Sequence, residues 1–147
     1  MKTEIKVKKS PSFRNFLIIV TLFIIGILYG PILFGREISL QDLSISTLIV
    51  LTLIALFASI WFNTKYYIDD SLLKIVSGPF WWKIDILNIK KIWLNQYTIA
   101  GVWKPTLSWE CMEIKYKKSR SISISPAQEK EFLKILMEIN PEIEVKE

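Results

Sequence analysis

The sequence predicts a two-helix transmembrane hairpin followed by a small antiparallel β-barrel or roll that a C-terminal helix caps. Three observations carry this prediction. Two uncharged apolar runs, of 19 and 20 residues, follow the first fifteen residues. Beyond them the pattern changes to short alternating runs separated by turn residues. A last apolar stripe at helical spacing ends at Asn140-Pro141.

Residues 16–34 (FLIIVTLFIIGILYGPILF) form the first run and residues 43–62 (LSISTLIVLTLIALFASIWF) the second. At about 1.5 Å per residue each covers roughly 28–30 Å, the hydrocarbon thickness of a bilayer. The connection GREISLQD is short, and backbone groups in lipid must be satisfied within each segment, so the pair reads as a helical hairpin. The basic start MKTEIKVKK also suits a signal peptide. Against that, the run is long for such a segment, no small-residue cleavage site follows it, and a second span comes at once. Gly26 and Gly30 make a GxxxG, which is expected to let the two helices approach closely. Neither run carries Asp, Glu, Lys, Arg, His, Asn or Gln, so the hairpin reads as an anchor in membrane lipid rather than a transport path.

Charge orients the hairpin. The formal net charge is +5, and the first 15 residues hold five basic groups against one acid. The link holds only Arg36, and Lys65 follows the second run. Both termini are therefore expected in the cytoplasm of a multi-pass protein of the cell (plasma) membrane, with residues 1–15 a basic cytoplasmic arm. Trp61, Phe62, Tyr66 and Tyr67 stand where an interfacial aromatic belt is expected. Because the basic excess flanks a membrane segment, nucleic acid is not an expected partner.

Residues 63–147 read as a cytoplasmic β-rich domain. KYYID, LLKIVS and FWWKID are strands joined at Asp70-Ser71 and Gly78-Pro79. NIKKIWLN suits a fourth strand or a helical turn, and residues 96–107 read as a long loop. Residues 108–116 and 120–125 form a further hairpin across Lys117-Lys118-Ser119. The final helix is expected to take Ser125 as N-cap, Pro126 at its first position and Gln128 as capping-box partner, with Phe132, Leu133, Leu136 and Ile139 turned to the core.

The stretch WFNTKYYIDDSLLKIVSGPFWWKIDILNIKKI and the ending ISPAQEKEFLKILMEINPEIEV resemble the YyaB-like family of bacterial pleckstrin-homology (PH-like) domain membrane proteins. The resemblance is carried by Tyr66-Tyr67-Ile68-Asp69-Asp70, Ser77-Gly78-Pro79-Phe80 and Ser125-Pro126. It implies a PH-like barrel or roll with two membrane spans, and no particular chemistry.

Composition restricts chemistry strongly. There is no histidine and a single cysteine, which removes His-based triads, intrachain disulfides and multi-cysteine metal sites. Asp69-Asp70 reads as turn chemistry rather than a metal or acid–base pair. Cys111 reads as a small core residue. No catalytic, cofactor-binding or metal residues are assigned, and no cofactor is expected. The candidate interaction surface is Trp81, Trp82, Lys83, Trp103, Lys104, Lys115, Lys117, Lys118 and Arg120. Trp81 and Trp82 are adjacent on a strand and must face opposite ways, one into the core and the other outward. Lys115, Lys117, Lys118 and Arg120 surround a turn that is either merely solvated or attractive to anionic headgroups. The expectation is a non-enzymatic, membrane-anchored binding module with a membrane-protein or self partner. An immunity role against a membrane-active peptide, and an enzyme of unknown type, are the alternatives.

Overall fold

The computed structural model describes residues 2–35, 37, 39–97, 105–117 and 120–146. Strand β1 (Lys2–Ile5) comes first, followed by helices α1 (Pro11–Leu33) and α2 (Leu40–Phe62). Five strands and a single 3₁₀ turn then carry the chain through most of two sheets. They are β2 (Lys65–Asp69), β3 (Leu72–Ser77), β4 (Phe80–Asp85), the turn Ile86–Asn88, β5 (Ile89–Tyr97) and β6 (Glu110–Tyr116). Strand β7 (Arg120–Ile124), helix α3 (Glu129–Ile139) and strand β8 (Glu144–Lys146) complete the fold.

Both long helices have 23 residues, enough for about 34 Å of rise, and both are apolar enough to cross a membrane. Pro11 opens α1, where its missing N–H is no loss. Ser39 caps α2 by accepting the Asp42 N–H at 3.1 Å. Only Val50 of the two helices is buried, and most of the apolar surface of the pair faces outward. Tyr29 and Thr47 hydroxyls meet across the pair at 2.8 Å. The expected close approach at Gly26 and Gly30 is not found: a Cβ on either would meet nothing within 4 Å.

The first sheet has the order β1-β2-β3-β4, with every pair antiparallel. Residues 2–5, expected as part of a basic arm, are thus a strand of the domain. Thr3 stands opposite Ile68 and Ile5 opposite Tyr66, with Ile5 buried. The alternation of Ile5 and Val7 between lysines fits this half-buried edge strand. The first sheet therefore takes in residues 2–5 from before the hairpin, and the hairpin lies in the chain between β1 and β2.

The second sheet has the order β7-β6-β5-β8. Residues just beyond β1 join it to the first: Lys8 N–H donates to Ser125 O at 2.7 Å, Ser10 N–H to Leu107 O at 2.9 Å and Ala127 N–H to Lys6 O at 2.8 Å. The two sheets make a roll joined along this corner rather than a closed barrel. The core between them holds Tyr66, Leu73, Ile75, Ile84, Ile92, Met112, Ile114, Ile122 and Ile124, closed by Phe132 and Leu136 of α3.

The stripe on α3 is as expected, but its start differs. The N-cap is Gln128 and its side chain caps nothing. Ser125 is instead buried, its hydroxyl accepting from Thr106 Oγ1 at 2.9 Å, and Pro126 bridges to Val7. Tertiary partners outbid the local capping pattern. Asn140 ends the helix and donates its side-chain amide to the Ile86 and Ile89 carbonyls at 3.0 and 3.2 Å. The segment 89–97 is a strand with register shifts between Ile89 and Lys91 and between Trp93 and Gln96.

Candidate functional site

The domain sits on the hairpin through a small set of tight contacts. Gly78 has φ +56, and a Cβ there would meet Ile60 Cγ1 and N at 3.0 Å. Glycine suits the positive φ at the first central residue of this two-residue hairpin turn and also the close approach of α2. The Thr64 and Ser77 hydroxyls meet at 3.1 Å. Lys9 Nζ donates to the Trp61 carbonyl at 2.8 Å and lies 5.4 Å from the centre of its ring. Trp109 packs edge-on to Phe13 and Phe16 with centroids at 5.5 and 5.3 Å. Trp61, Phe62 and Trp109 therefore lie where the helices meet the domain. Tyr66, expected in an interfacial belt, is fully buried in the domain instead.

A cleft of about 840 Å³ runs along β4 and the tip of the β6–β7 hairpin. That volume is in the range of ligand-binding clefts. Its geometry follows from the register of the first sheet. Tyr67, Lys74 and Lys83 stand directly opposite one another across β2, β3 and β4, and Val76 stands opposite Trp81. Those side chains share the outer face. On β4 the alternation divides the adjacent tryptophans as expected: Trp82 packs against the core, whereas Trp81 is 76% exposed. Beyond the far end of β4, Asn88, Tyr116, Lys117 and Arg120 complete the cleft. The tip is held there by the Lys117 N–H, which donates to Asn88 O at 3.2 Å.

Five of the candidate residues, Trp81, Trp82, Lys83, Lys117 and Arg120, thus come together. Lys115 does not: it points from the second sheet with its ammonium 5.8 Å from the centre of the Trp93 ring. Trp103, Lys104 and Lys118 lie outside the described residues. Lys74 and Tyr116 also line the cleft and were not singled out from the sequence. The outward place of Lys74 follows from alternation in LLKIVS, but its position opposite Lys83 depends on register.

The cleft is cationic. Its lining has four basic side chains, Lys74, Lys83, Lys117 and Arg120, and one acid, Asp85. Asp85 is engaged locally, accepting from Leu87 N–H at 3.1 Å and Asn88 Nδ2 at 2.9 Å. Lys74 pairs with Asp69, whereas Lys83, Lys117 and Arg120 make no ion pair among the described residues. Asp70 takes φ +53 in the β2–β3 turn, in keeping with turn chemistry. Among the described residues no three His, Cys, Asp or Glu side chains gather as a metal site. Cys111 is buried, with its thiol donating to Gln96 O at 3.2 Å.

Two distances place the cationic end of the cleft. Along β4 the chain runs from the turn beside Ile60 to Asp85, about 17 Å at roughly 3.3 Å per residue. Along β6 it runs from Glu110, ion-paired with Lys8, to Tyr116, about 20 Å. Lys117 and Arg120 therefore stand well over a Debye length, about 8 Å in physiological salt, from the ends of the helices.

A mixed roll of two four-stranded sheets, closed by one C-terminal helix, defines a PH-like domain. The family profile of the Bacterial PH domain matches residues 64–140, which is 77 of the 147 residues, and the chain belongs to that family. Neither a curated protein nor a solved structure matches the chain. Strand β1, the hairpin and β8 lie outside the matched residues.

Proposed function

We infer that this protein is a membrane-anchored, non-enzymatic binding module, with its bacterial PH domain and both ends of its hairpin on the cytoplasmic face. One observation carries this reading: β1 and β2 pair across the inserted hairpin. A chain that leaves a sheet, spans a bilayer twice and returns to the same sheet keeps both ends on one side. The basic residues of the first 15 positions and Lys65 favour the cytoplasm as that side. A binding role is supported by the cleft, which offers cations, indoles and a strand edge but no nucleophile–base pair among the described residues. Anchoring raises the local concentration of the domain near membrane proteins, so modest contacts suffice.

Orientation is tested with one added cysteine at a time beside the buried Cys111, Glu37→Cys in the link or Lys130→Cys on the exposed face of α3. A membrane-impermeant maleimide applied to intact cells labels the first and reaches the second only after lysis. Labelling of Lys130→Cys in intact cells overturns the cytoplasmic assignment.

A further inference from the structure

The two ends of the fold are used to cover strand edges. Strand β1 covers the edge of β2, and β8 covers the edge of β5 by parallel pairing, with Glu144 held by Lys91 at 2.8 Å. Residues 7 and 126 bridge the corner between the sheets. Strand β4 ends the first sheet and joins no other described strand. An uncovered edge is a template for another strand, and proteins that do not use one usually protect it. Here the edge carries Trp81, 76% exposed, and Lys83, and it forms the long wall of the cationic cleft.

We propose that the cleft is a docking site for an extended acidic peptide segment of another protein, which adds to β4 as a further strand. This deepens the binding-module reading and rests on it. The shape fits: β4 has six residues, so the edge accepts a segment of about six residues along some 17–20 Å. The charge fits as well, since Lys83, Lys117 and Arg120 present cations without ion-pair partners among the described residues. Main-chain bonds to the edge supply affinity, while alternate side chains meet Trp81 at the membrane-near end and the cations farther out. The structure already contains one small instance of this arrangement, the acidic end of β8 lying on β5 against Lys91.

The test uses the full chain in nanodiscs, where both membrane faces are open, so the result does not depend on orientation in the cell. The probe is a fluorescent six-residue peptide alternating glutamate and valine. It is compared with its lysine–valine counterpart, an alternately N-methylated version, inositol hexakisphosphate and phosphatidylglycerol vesicles. The expected result is saturable binding of the acidic peptide, weakened at least tenfold by N-methylation and by the exposed pair Lys83→Glu and Arg120→Glu, with unchanged thermal unfolding. The N-methylated peptide tests edge pairing on the unaltered protein, so a variant that fails to fold does not blunt the test. Equal binding of the parent and N-methylated peptides overturns strand addition. Binding of inositol hexakisphosphate or vesicles without binding of the peptide overturns the peptide in favour of a phosphate or lipid ligand. Self-crosslinking of a Trp81→Cys variant in the absence of peptide assigns the edge to a second copy and overturns the proposal. Failure of the peptide arm leaves the anchored-module reading intact, whereas inverted labelling at residue 130 overturns that reading alone.

Discussion

Replacing Tyr66 by phenylalanine removes one oxygen from the best-buried polar contact of the domain. The phenol donates to the Pro105 carbonyl and accepts the Ser125 N–H at 3.2 Å. Tyr66 is 0% exposed and Ser125 2%, so water does not replace the lost oxygen. The ring stays, so apolar burial hardly changes and the effect isolates the two hydrogen bonds. A buried donor or acceptor left unsatisfied costs about 1–3 kcal/mol, and the carbonyl keeps a second lone pair, so the sum is about 2–4 kcal/mol. For a domain of this size that lowers Tm by at least about 8 °C, read by thermal unfolding of the full chain in nanodiscs. The pH dependence is a second signature. Burial, the first cause, pushes the Tyr66 phenol well above its ordinary value of 10.0. The unfolded chain therefore releases a proton above pH 10 that the folded chain keeps. The stabilisation is whole below pH 10 and falls by about 1.4 kcal/mol per pH unit above it. Tyr66→Phe lacks this slope, so its deficit against the parent narrows between pH 9 and pH 11. A deficit below about 0.5 kcal/mol, which is within the range of ordinary surface changes, refutes the bridging role. A deficit constant across that pH range refutes the account of the buried phenol.

Gly78→Ala strains a positive φ and presses a methyl group on the Ile60 backbone, so it destabilises by about 1–3 kcal/mol and exposes the 62–65 junction to limited proteolysis. Asn140→Ala leaves the Ile86 and Ile89 carbonyls without their amide donor and lowers stability by about 1–2 kcal/mol in denaturant titration. Cys111 resists maleimide in the folded protein and reacts fully after denaturation; rapid native labelling contradicts its buried place. The Lys91 hydrogen bond to Glu144, followed by the Lys91 charge, holds the carboxyl below its usual pKa. The β8 contact is accordingly strongest above the usual carboxylate range and weakens as pH falls through it. A lower protection factor along β5 at acidic pH, taken relative to the intrinsic exchange rate at each pH, is the expected reading, and Glu144→Gln abolishes that change.

Much of the fold was legible because it depends on local pattern. The β2–β3 and β3–β4 turns follow from Asp70-Ser71 and Gly78-Pro79, each between alternating runs, and both hairpins have the expected bounds. Segment 89–97 was ambiguous for a physical reason. Ile89 and Ile92 both face the core at a spacing of three because a register shift after Ile89 changes the phase of the strand. The Ser125-Pro126-Gln128 pattern also misled, since a buried hydrogen-bond network with Thr106 and Tyr66 outweighs a cap exposed to water. The candidate site was legible residue by residue at Trp81, Trp82 and Lys83. Its assembly with Lys117 and Arg120, more than thirty residues away, was not.

The sequence by itself determined the hairpin, the β-rich character and family of the domain beyond the hairpin, and the core stripe of α3. These depend on apolar content, period and turn residues over short windows, which need no knowledge of distant partners. Only the tertiary structure decided that residues 2–5 rejoin the chain at residues 65–69, that β8 covers β5, and that β4 pairs with no further described strand beside Lys117 and Arg120. Strand pairing between remote segments depends on register and sheet order, which a local pattern does not encode. That pairing places the two long apolar helices between neighbouring strands of one sheet.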